Sequence, residues 1–334
     1  MRSAMGRIRV LEYVRSSEAV WTLPRTHTEA LSRAFPEVEF VSPATREEVD
    51  AQLPDADVVL GWAVRRENFS RASRLRWIQV TAAGVGPLLF PELVESPVVV
   101  TNGRGLHAQS MAEHALGVIL MFARKLHLAR DAQREGRWIQ KELWHAPTPF
   151  AQLDGSTLGL VGLGNIGRAL AQRARSLGMR VLAVRPHPAA HPAPADEQWG
   201  LERFDELIER ADWLVLAAPL THDTRRMMGA EQLARMKPSA VLINLGRGGL
   251  VDESALIRAL REQRVAGAAL DVFEEEPLPA DSPLWGMPQV IVTPHISGLD
   301  PHLWERGMDL FERNLRAFLD GRPLENVVDK RAGY

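Results

Sequence analysis

The 334 residues contain no cysteine. That excludes disulfides, thiolate nucleophiles and cysteine-bound metals, and it fits a reducing compartment. Net charge is nearly absent too: 40 Lys and Arg stand against 42 Asp and Glu, a formal −2. Such a balance gives no electrostatic pull toward nucleic acid or an anionic membrane. Long apolar runs are missing. The longest, HALGVILMFA at 114–123, is too short to span a bilayer and reads as a buried helix. The opening MRSAMGRIRV has charges but no apolar run of signal-peptide length, and the residues before Gly6 read as a short frayed tail. Repeats and coiled-coil heptads are absent as well. The expectation is a cytoplasmic protein with no nucleic-acid partner, no membrane partner and no metal.

What remains is ordinary globular composition, 46% apolar and 25% charged, in a chain long enough for two domains with their own cores. Apolar β-rich runs alternate with helical patterns, which marks parallel α/β folding. Strands are expected at 7–14, 38–41, 56–61, 77–80 and 98–101, with helices such as TEALSRAF between them. One long helix is expected from Ser110, with Glu113 closing a capping box, to about Gly136. A second series of strands is expected at 158–162, 180–184, 213–217, 240–244, 266–270 and 290–293. Its helices are placed near 165–177, 230–235 and 252–263, and a last helix near 301–319. The segment PHPAAHPAPAD, 186–196, reads as a surface loop. The fold class is therefore α/β, with two doubly wound parallel-sheet domains and a cleft between them. The last helix is expected to cross back and complete the first domain. The expected boundaries are 1–107 with 297–334 for a substrate domain, and 108–296 for a cofactor domain.

Gly162, Gly164 and Gly167 form G-x-G-x-x-G between the strand STLGLVG and the helix NIGRALAQRARSLG. In that context Gly162 permits a tight turn, Gly164 lets the backbone approach a pyrophosphate, and Gly167 lets helix and strand pack closely. The amides of Asn165 and Ile166, at the positive end of the helix dipole, are the expected phosphate donors. An acidic residue about twenty positions later would hold the ribose hydroxyls of NAD. Here the next strand ends VLAVRPHP, with Arg185 at that place. A guanidinium offers a planar fork to a 2′-phosphate, and His187 could add a donor, so NADP is preferred. NAD remains possible if Arg185 is a solvated loop residue or stacks on adenine.

Three later stretches put polar residues just past predicted strands, where open α/β sheets bind ligands. They are VLINLGRGGLVDESAL with Arg247, GAALDVFEEEPLP with Asp271 and Glu276, and VIVTPHISG with His295. An arginine can clamp a carboxylate and polarise a ketone. A histidine can donate the proton as hydride arrives, and a carboxylate can orient it and favour its charged form. His107 and His114, at the start of the long helix, are read as structural or hinge residues and not as metal ligands.

GLGNIG, NLGRGGLVDE, ALDVFEEEP and TPHISG together resemble the motifs of the D-isomer-specific 2-hydroxyacid dehydrogenases, in particular its glyoxylate and hydroxypyruvate reductases. The resemblance runs from AEHALGVILMFAR to PLENVV. It implies a flavodoxin-like substrate domain, a Rossmann cofactor domain and a homodimer joined through the long helix. It makes Arg247, Glu276 and His295 the catalytic triad and leaves Glu274 and Glu275 solvated. Ala83, Gly84 and Val85 of TAAGVG would offer amides to the substrate carboxylate. Trp62 would be a substrate wall, or else a core tryptophan. Asp271 would meet the nicotinamide carboxamide, with Pro219, Thr224, Leu245, Gly246 and Gly298 also lining the cofactor. Arg185 departs from the family's usual aspartate. The expected activity is NAD(P)-dependent reduction of a small 2-keto acid such as glyoxylate or hydroxypyruvate. The small-residue substrate loop and the lack of a C-terminal regulatory domain argue against a typical phosphoglycerate dehydrogenase. A formate or phosphite dehydrogenase, and a nucleotide-sensing corepressor of the same fold, are the alternatives.

Overall fold

The computed structural model describes residues 7–146, 148–188 and 194–333. The expected tail before Gly6, and residues 189–193 of the proline-rich loop, lie outside the described residues. The chain divides into two compact units, Met1–Leu106 with Asp300–Tyr334, and His107–Leu299.

The first unit runs β1 (Arg9–Tyr13), α1 (Arg25–Ala34), β2 (Glu39–Val41), α2 (Arg46–Gln52), β3 (Val58–Gly61), β4 (Trp77–Gln79), α3 (Pro91–Val94) and β5 (Val99–Thr101). Its sheet has the order β2-β1-β3-β4-β5 and is parallel throughout, the flavodoxin-type arrangement. Every residue of β3 is buried, because helices cover both faces of such a sheet.

The second unit opens with α4 (Ala108–Ala123), α5 (Leu126–Arg134) and α6 (Gln140–Trp144). It continues through β6 (Thr157–Val161), α7 (Asn165–Ser176), β7 (Arg180–Val184), β8 (Glu197–Trp199), α8 (Phe204–Arg210), β9 (Trp213–Leu216) and α9 (Ala230–Arg235). It ends with β10 (Val241–Asn244), α10 (Glu253–Arg261), β11 (Gly267–Leu270) and β12 (Val290–Val292). The strand order is β12-β11-β10-β9-β6-β7-β8, all parallel, which is the Rossmann order with its reversal between β6 and β9. Register levels the strand ends. Val161 pairs with Val184 and with Leu216, Leu216 with Asn244, Asn244 with Leu270, and Leu270 with Val292. The loops that follow these residues therefore emerge along one edge.

The chain then returns to the first unit as α11 (Leu303–Leu319). Met308, Phe311 and Leu315 pack under that unit's sheet, with the Phe311 ring stacked 5.3 Å from Trp77. Buried Asn314 donates to Gln79 Oε1 at 3.0 Å and accepts from the Glu325 amide at 2.7 Å, so the apolar contact carries a satisfied polar core.

Two local expectations fail. The single helix over 110–136 is two helices, α4 and α5, broken at Lys125, whose φ is 53°. The Lys125 ammonium donates to the Thr148 carbonyl and lies over the Phe150 ring, so a contact distant in sequence holds the left-handed turn. The capping box is also absent. The helix begins at Ala108, and the Ser110 hydroxyl donates to the His107 carbonyl instead of capping, while Glu113 faces Arg173. The short strand β8 was not expected either. Among the described residues no helix is long and apolar enough to cross a membrane.

Candidate active site

The glycine loop joins β6 to α7. Gly162 takes φ +100°, and a β-carbon there would lie 2.8 Å from the Ala217 carbonyl oxygen. At Gly167 a β-carbon would fall 2.2 Å from the carbonyl oxygen of Gly162, so helix and strand approach to a distance only glycine allows. Gly164 differs: a β-carbon there would meet nothing within 4 Å. It occupies the N-cap of α7 without a side-chain cap, so the first-turn amides, those of Asn165 and Ile166 among them, have no capping side chain. Asn165 is exposed, while Ile166 leans on the core beneath the sheet. Open space in front of uncapped helix amides is what a dinucleotide pyrophosphate requires.

Arg185 follows β7, beside this loop. Its backbone amide donates to the Trp199 carbonyl at 3.0 Å, which fixes the main chain. The side chain is half-buried, and among the described residues no carboxylate pairs with its guanidinium. His187 is exposed.

Arg247, Glu276 and His295 line one cavity of about 520 Å³, and three separate strands deliver them. The Arg247 loop leaves β10. Asn244, 1% exposed, secures it: its Nδ2 donates to the Arg247 carbonyl at 3.0 Å and its Oδ1 accepts the Gly246 amide at 3.1 Å. Arg247 itself is exposed and donates to the Gly246 carbonyl at 2.7 Å. Gly248 brings the loop onto the next one, since a β-carbon there would sit 1.8 Å from the Phe273 carbonyl oxygen. The Phe273 amide in turn donates to Glu276 Oε1 at 3.0 Å. The other Glu276 oxygen, Oε2, lies 2.7 Å from His295 Nδ1. With Nδ1 so engaged, Nε2 is the ring nitrogen left for a substrate.

His295 has φ 53°, a conformation that costs a non-glycine residue of order 1 kcal/mol and needs external support. Asp271 supplies it. The Asp271 carbonyl accepts the His295 amide at 2.9 Å, and its buried carboxylate accepts from the Ile296 amide at 2.9 Å and the Ser297 amide at 3.0 Å. The Thr293 hydroxyl donates to the same carboxylate at 2.6 Å, with His114 Nε2 3.2 Å from that hydroxyl. Because the hydroxyl proton goes to Asp271, the hydroxyl can only accept from His114. Burial holds the His114 pKa below the usual imidazole value, with Asp271 opposing the shift. Three of Asp271's roughly four acceptor directions are thus used inside the protein.

The remaining expected residues occupy turns. Thr224 accepts the Thr221 amide and donates to the Pro219 carbonyl, both at 2.7 Å, closing the loop after β9. Leu245 and Gly246 are buried, and a β-carbon at Gly246 would lie 2.8 Å from the Ala218 carbonyl oxygen. The Gly298 carbonyl lies 2.8 Å from His107 Nδ1. Glu274 pairs with Arg226 at 3.3 Å and Glu275 is exposed. In the first unit, Trp62 follows β3 at the point where the strand order reverses, half-buried, with its amide on the Tyr13 carbonyl at 2.9 Å. Ala83 and Gly84, beyond β4, are exposed. Val85 is 1% exposed and its side chain belongs to the core. Reading the sequence alone overlooked Asn244, Thr293 and the support that His114 gives Thr293. For Asn244 the available signal was a polar residue closing an otherwise apolar buried strand.

A family model for the D-isomer specific 2-hydroxyacid dehydrogenase, NAD binding domain, matches residues 116–297. The D-3-phosphoglycerate dehydrogenase of Methanocaldococcus jannaschii is 36% identical over 299 residues, 88% of this chain, which spans only 55% of that relative's length. The glyoxylate reductase of Korarchaeum cryptofilum is 34% identical over 86% of this chain and 87% of its own. A solved D-isomer specific 2-hydroxyacid dehydrogenase from Xanthobacter autotrophicus Py2, in complex with NADPH and MES, superposes with a TM-score of 0.83 at 32% identity, covering 98% of this chain and 100% of that one. Strand order, glycine loop, the Glu276–His295 pair and these matches agree: the chain belongs to the D-isomer specific 2-hydroxyacid dehydrogenase family and is an NAD(P)-dependent oxidoreductase.

Proposed function

We propose that the protein reduces small 2-keto acids to 2-hydroxy acids, with glyoxylate and hydroxypyruvate as first candidates and NADPH preferred over NADH. The observation that carries the reading is the gathering of Arg247, Glu276 and His295 on one cavity. Gly162, Gly164, Asn165, Ile166 and Gly167, with the lining residues Pro219, Thr224, Leu245, Gly246, Asp271 and Gly298, would hold NAD(P)H, which would supply the hydride. Arg247 grips the carboxylate and polarises the ketone. His295 Nε2 delivers the proton to the carbonyl oxygen, and Glu276 keeps the ring aimed. Ala83, Gly84 and Val85 are assigned to the substrate carboxylate and Trp62 to substrate contact. A placed proton donor favours carbonyl reduction over oxidation of formate or phosphite, neither of which offers a carbonyl oxygen to protonate. The relative from K. cryptofilum is named for glyoxylate.

The preference for NADPH rests on Arg185, a cation without a carboxylate partner among the described residues, and on the NADPH in the X. autotrophicus structure. The cysteine-free chain is assigned to the cytoplasm. Exposed Leu120, Leu126, Trp138 and Trp144, around α4 to α6, support a homodimer through that region. The deciding experiment is a panel of 2-keto acids assayed with NADPH and with NADH. Consumption of reduced cofactor by glyoxylate or hydroxypyruvate is expected. Turnover of formate or phosphite with no keto acid reduced would overturn the reading.

A further inference from the structure

Charges around the cavity do not cancel. Arg225, Arg226, Arg247, Glu274, Glu276 and His295 all line it. Arg226 is paired with Glu274, and Glu276 with His295. Arg247 and Arg225 are left over: among the described residues neither guanidinium has a carboxylate partner. When His295 carries the proton it delivers, the wall holds two uncompensated positive charges. The carboxylate of a simple keto acid neutralises one.

Arg225 is exposed, and its backbone is held in place. Its loop is stitched to the turn that follows Arg247. The Arg226 amide donates to the Gly249 carbonyl at 2.7 Å, and the Met228 amide to the Leu250 carbonyl at 3.0 Å. Arg226 takes φ 51° to make this connection. The Arg225 amide donates back to the Thr221 carbonyl at 3.1 Å, inside the turn that Thr224 closes. Its Nη1 then lies 3.8 Å from where a β-carbon on Gly249 would stand, two residues beyond Arg247. Leu220 stands nearer still to that point, at 3.1 Å, so Leu220 and the Arg225 guanidinium both lie over the turn that follows Arg247.

We propose that Arg225 forms a second anion subsite next to Arg247, and that the preferred substrate is a 2-keto acid bearing a second oxyanion, a carboxylate or sulfonate, near the carbon beside the ketone. This rests on the reductase reading above and narrows its substrate class. A planar fork suits such a group, and a charge-assisted contact there discriminates against an uncharged end.

The test compares acids of equal chain length that differ only in the second charge: 2-oxosuccinate against 2-oxobutyrate, and 2-oxoglutarate against 2-oxopentanoate. The parent enzyme should favour at least one dianion by about tenfold in kcat/KM, and R225Q should erase that ratio, with R225K restoring part of it. The ratio cancels any general loss from misfolding. Equal use of dianionic and monoanionic acids, or a ratio unmoved by R225Q, overturns the subsite and leaves the reductase standing. A rise in KM for NADPH with no change in the ratio assigns Arg225 to the cofactor, and also overturns it. Calorimetric binding of the same acids with oxidised cofactor present needs no turnover. Arg225-dependent preference for the dianion in a chain that reduces no keto acid keeps the subsite and sinks the reductase reading.

Discussion

Glu276 accepts at both of its oxygens, one from His295 Nδ1 at 2.7 Å and one from the Phe273 amide at 3.0 Å. The same side chain therefore orients the proton donor and closes its own loop, the one that follows β11. An amide at this position accepts at only one atom, so Glu276→Gln cannot accept from both His295 Nδ1 and the Phe273 amide. The expected result is a fall in kcat of about tenfold or more with little change in cofactor affinity. His295→Asn removes the donor itself and should cost ~10²–10⁴ in kcat. Near-native turnover in the histidine variant would remove it from the chemistry.

Asn244 decides where Arg247 stands, through one bond to the Arg247 carbonyl and one from the Gly246 amide. Asn244→Ala deletes both in a buried place. Two net hydrogen bonds contribute of order 1–3 kcal/mol, so thermal unfolding should come several degrees earlier. The keto-acid KM should rise at the same time, because the clamp loses its footing. A stability loss with an unchanged KM would make Asn244 purely architectural.

The two glycines of the phosphate loop should part company. A methyl at Gly164 enters open space, whereas one at Gly167 lands 2.2 Å from a carbonyl oxygen. Gly167→Ala is expected to lower the melting temperature even without cofactor, because helix and strand must separate. Gly164→Ala should melt like the parent and bind NADPH more weakly, the methyl standing where the phosphate belongs. Differential scanning fluorimetry with and without NADPH reads both. Equal stability of the two variants would contradict the packing argument.

Much of this was legible because parallel sheets write their strands as apolar runs. Of the twelve strands among the described residues only β8 escaped, three residues long and placed just after a proline-rich loop. The triad was legible for a related reason: each of its residues follows such a run, and register levels the strand ends. The break at Lys125 was not, because no glycine or proline marks it. Its cause is a contact with Thr148 and Phe150, more than twenty residues on. Asn244 and Thr293 were missed because a polar residue at a strand end reads equally as solvent-facing. Only burial and the direction of its partners show that it supports a catalytic neighbour. Family resemblance likewise could not foresee Val85 in the core, since small residues in a loop say nothing of which way each one points.

His114 and His127 should make the fold acid-sensitive. Burial lowers both pKa values from the ordinary 6.5, so the folded state resists protonation more than the unfolded chain does. Below that value the unfolded state binds more protons, and stability falls with pH until the folded-state values are passed. At neutral pH the contribution is fully present. His114→Gln keeps a donor for Thr293 and removes one of the two titrations. Its unfolding free energy should fall less steeply between pH 7 and pH 5 than the parent's, as read from denaturant midpoints. An unchanged slope would show that His114 titrates as it does in an unfolded chain.

Arg185 bears on cofactor choice. If its guanidinium grips the 2′-phosphate, Arg185→Asp should reverse the preference. A hydrogen bond to a charged group contributes roughly 1.5–3 kcal/mol, and the new carboxylate would add repulsion. At 1.4 kcal/mol for each factor of ten, NADPH should weaken at least ~10-fold. NADH should bind no worse, because a carboxylate there can accept from both ribose hydroxyls. The arginine is only half-buried, so the discrimination should shrink in high salt, as a screened contact must. The measurement is kcat/KM for both cofactors, in parent and variant, at fixed glyoxylate. A parent that already favours NADH, or a ratio the substitution does not move, would return Arg185 to the status of a solvated loop residue.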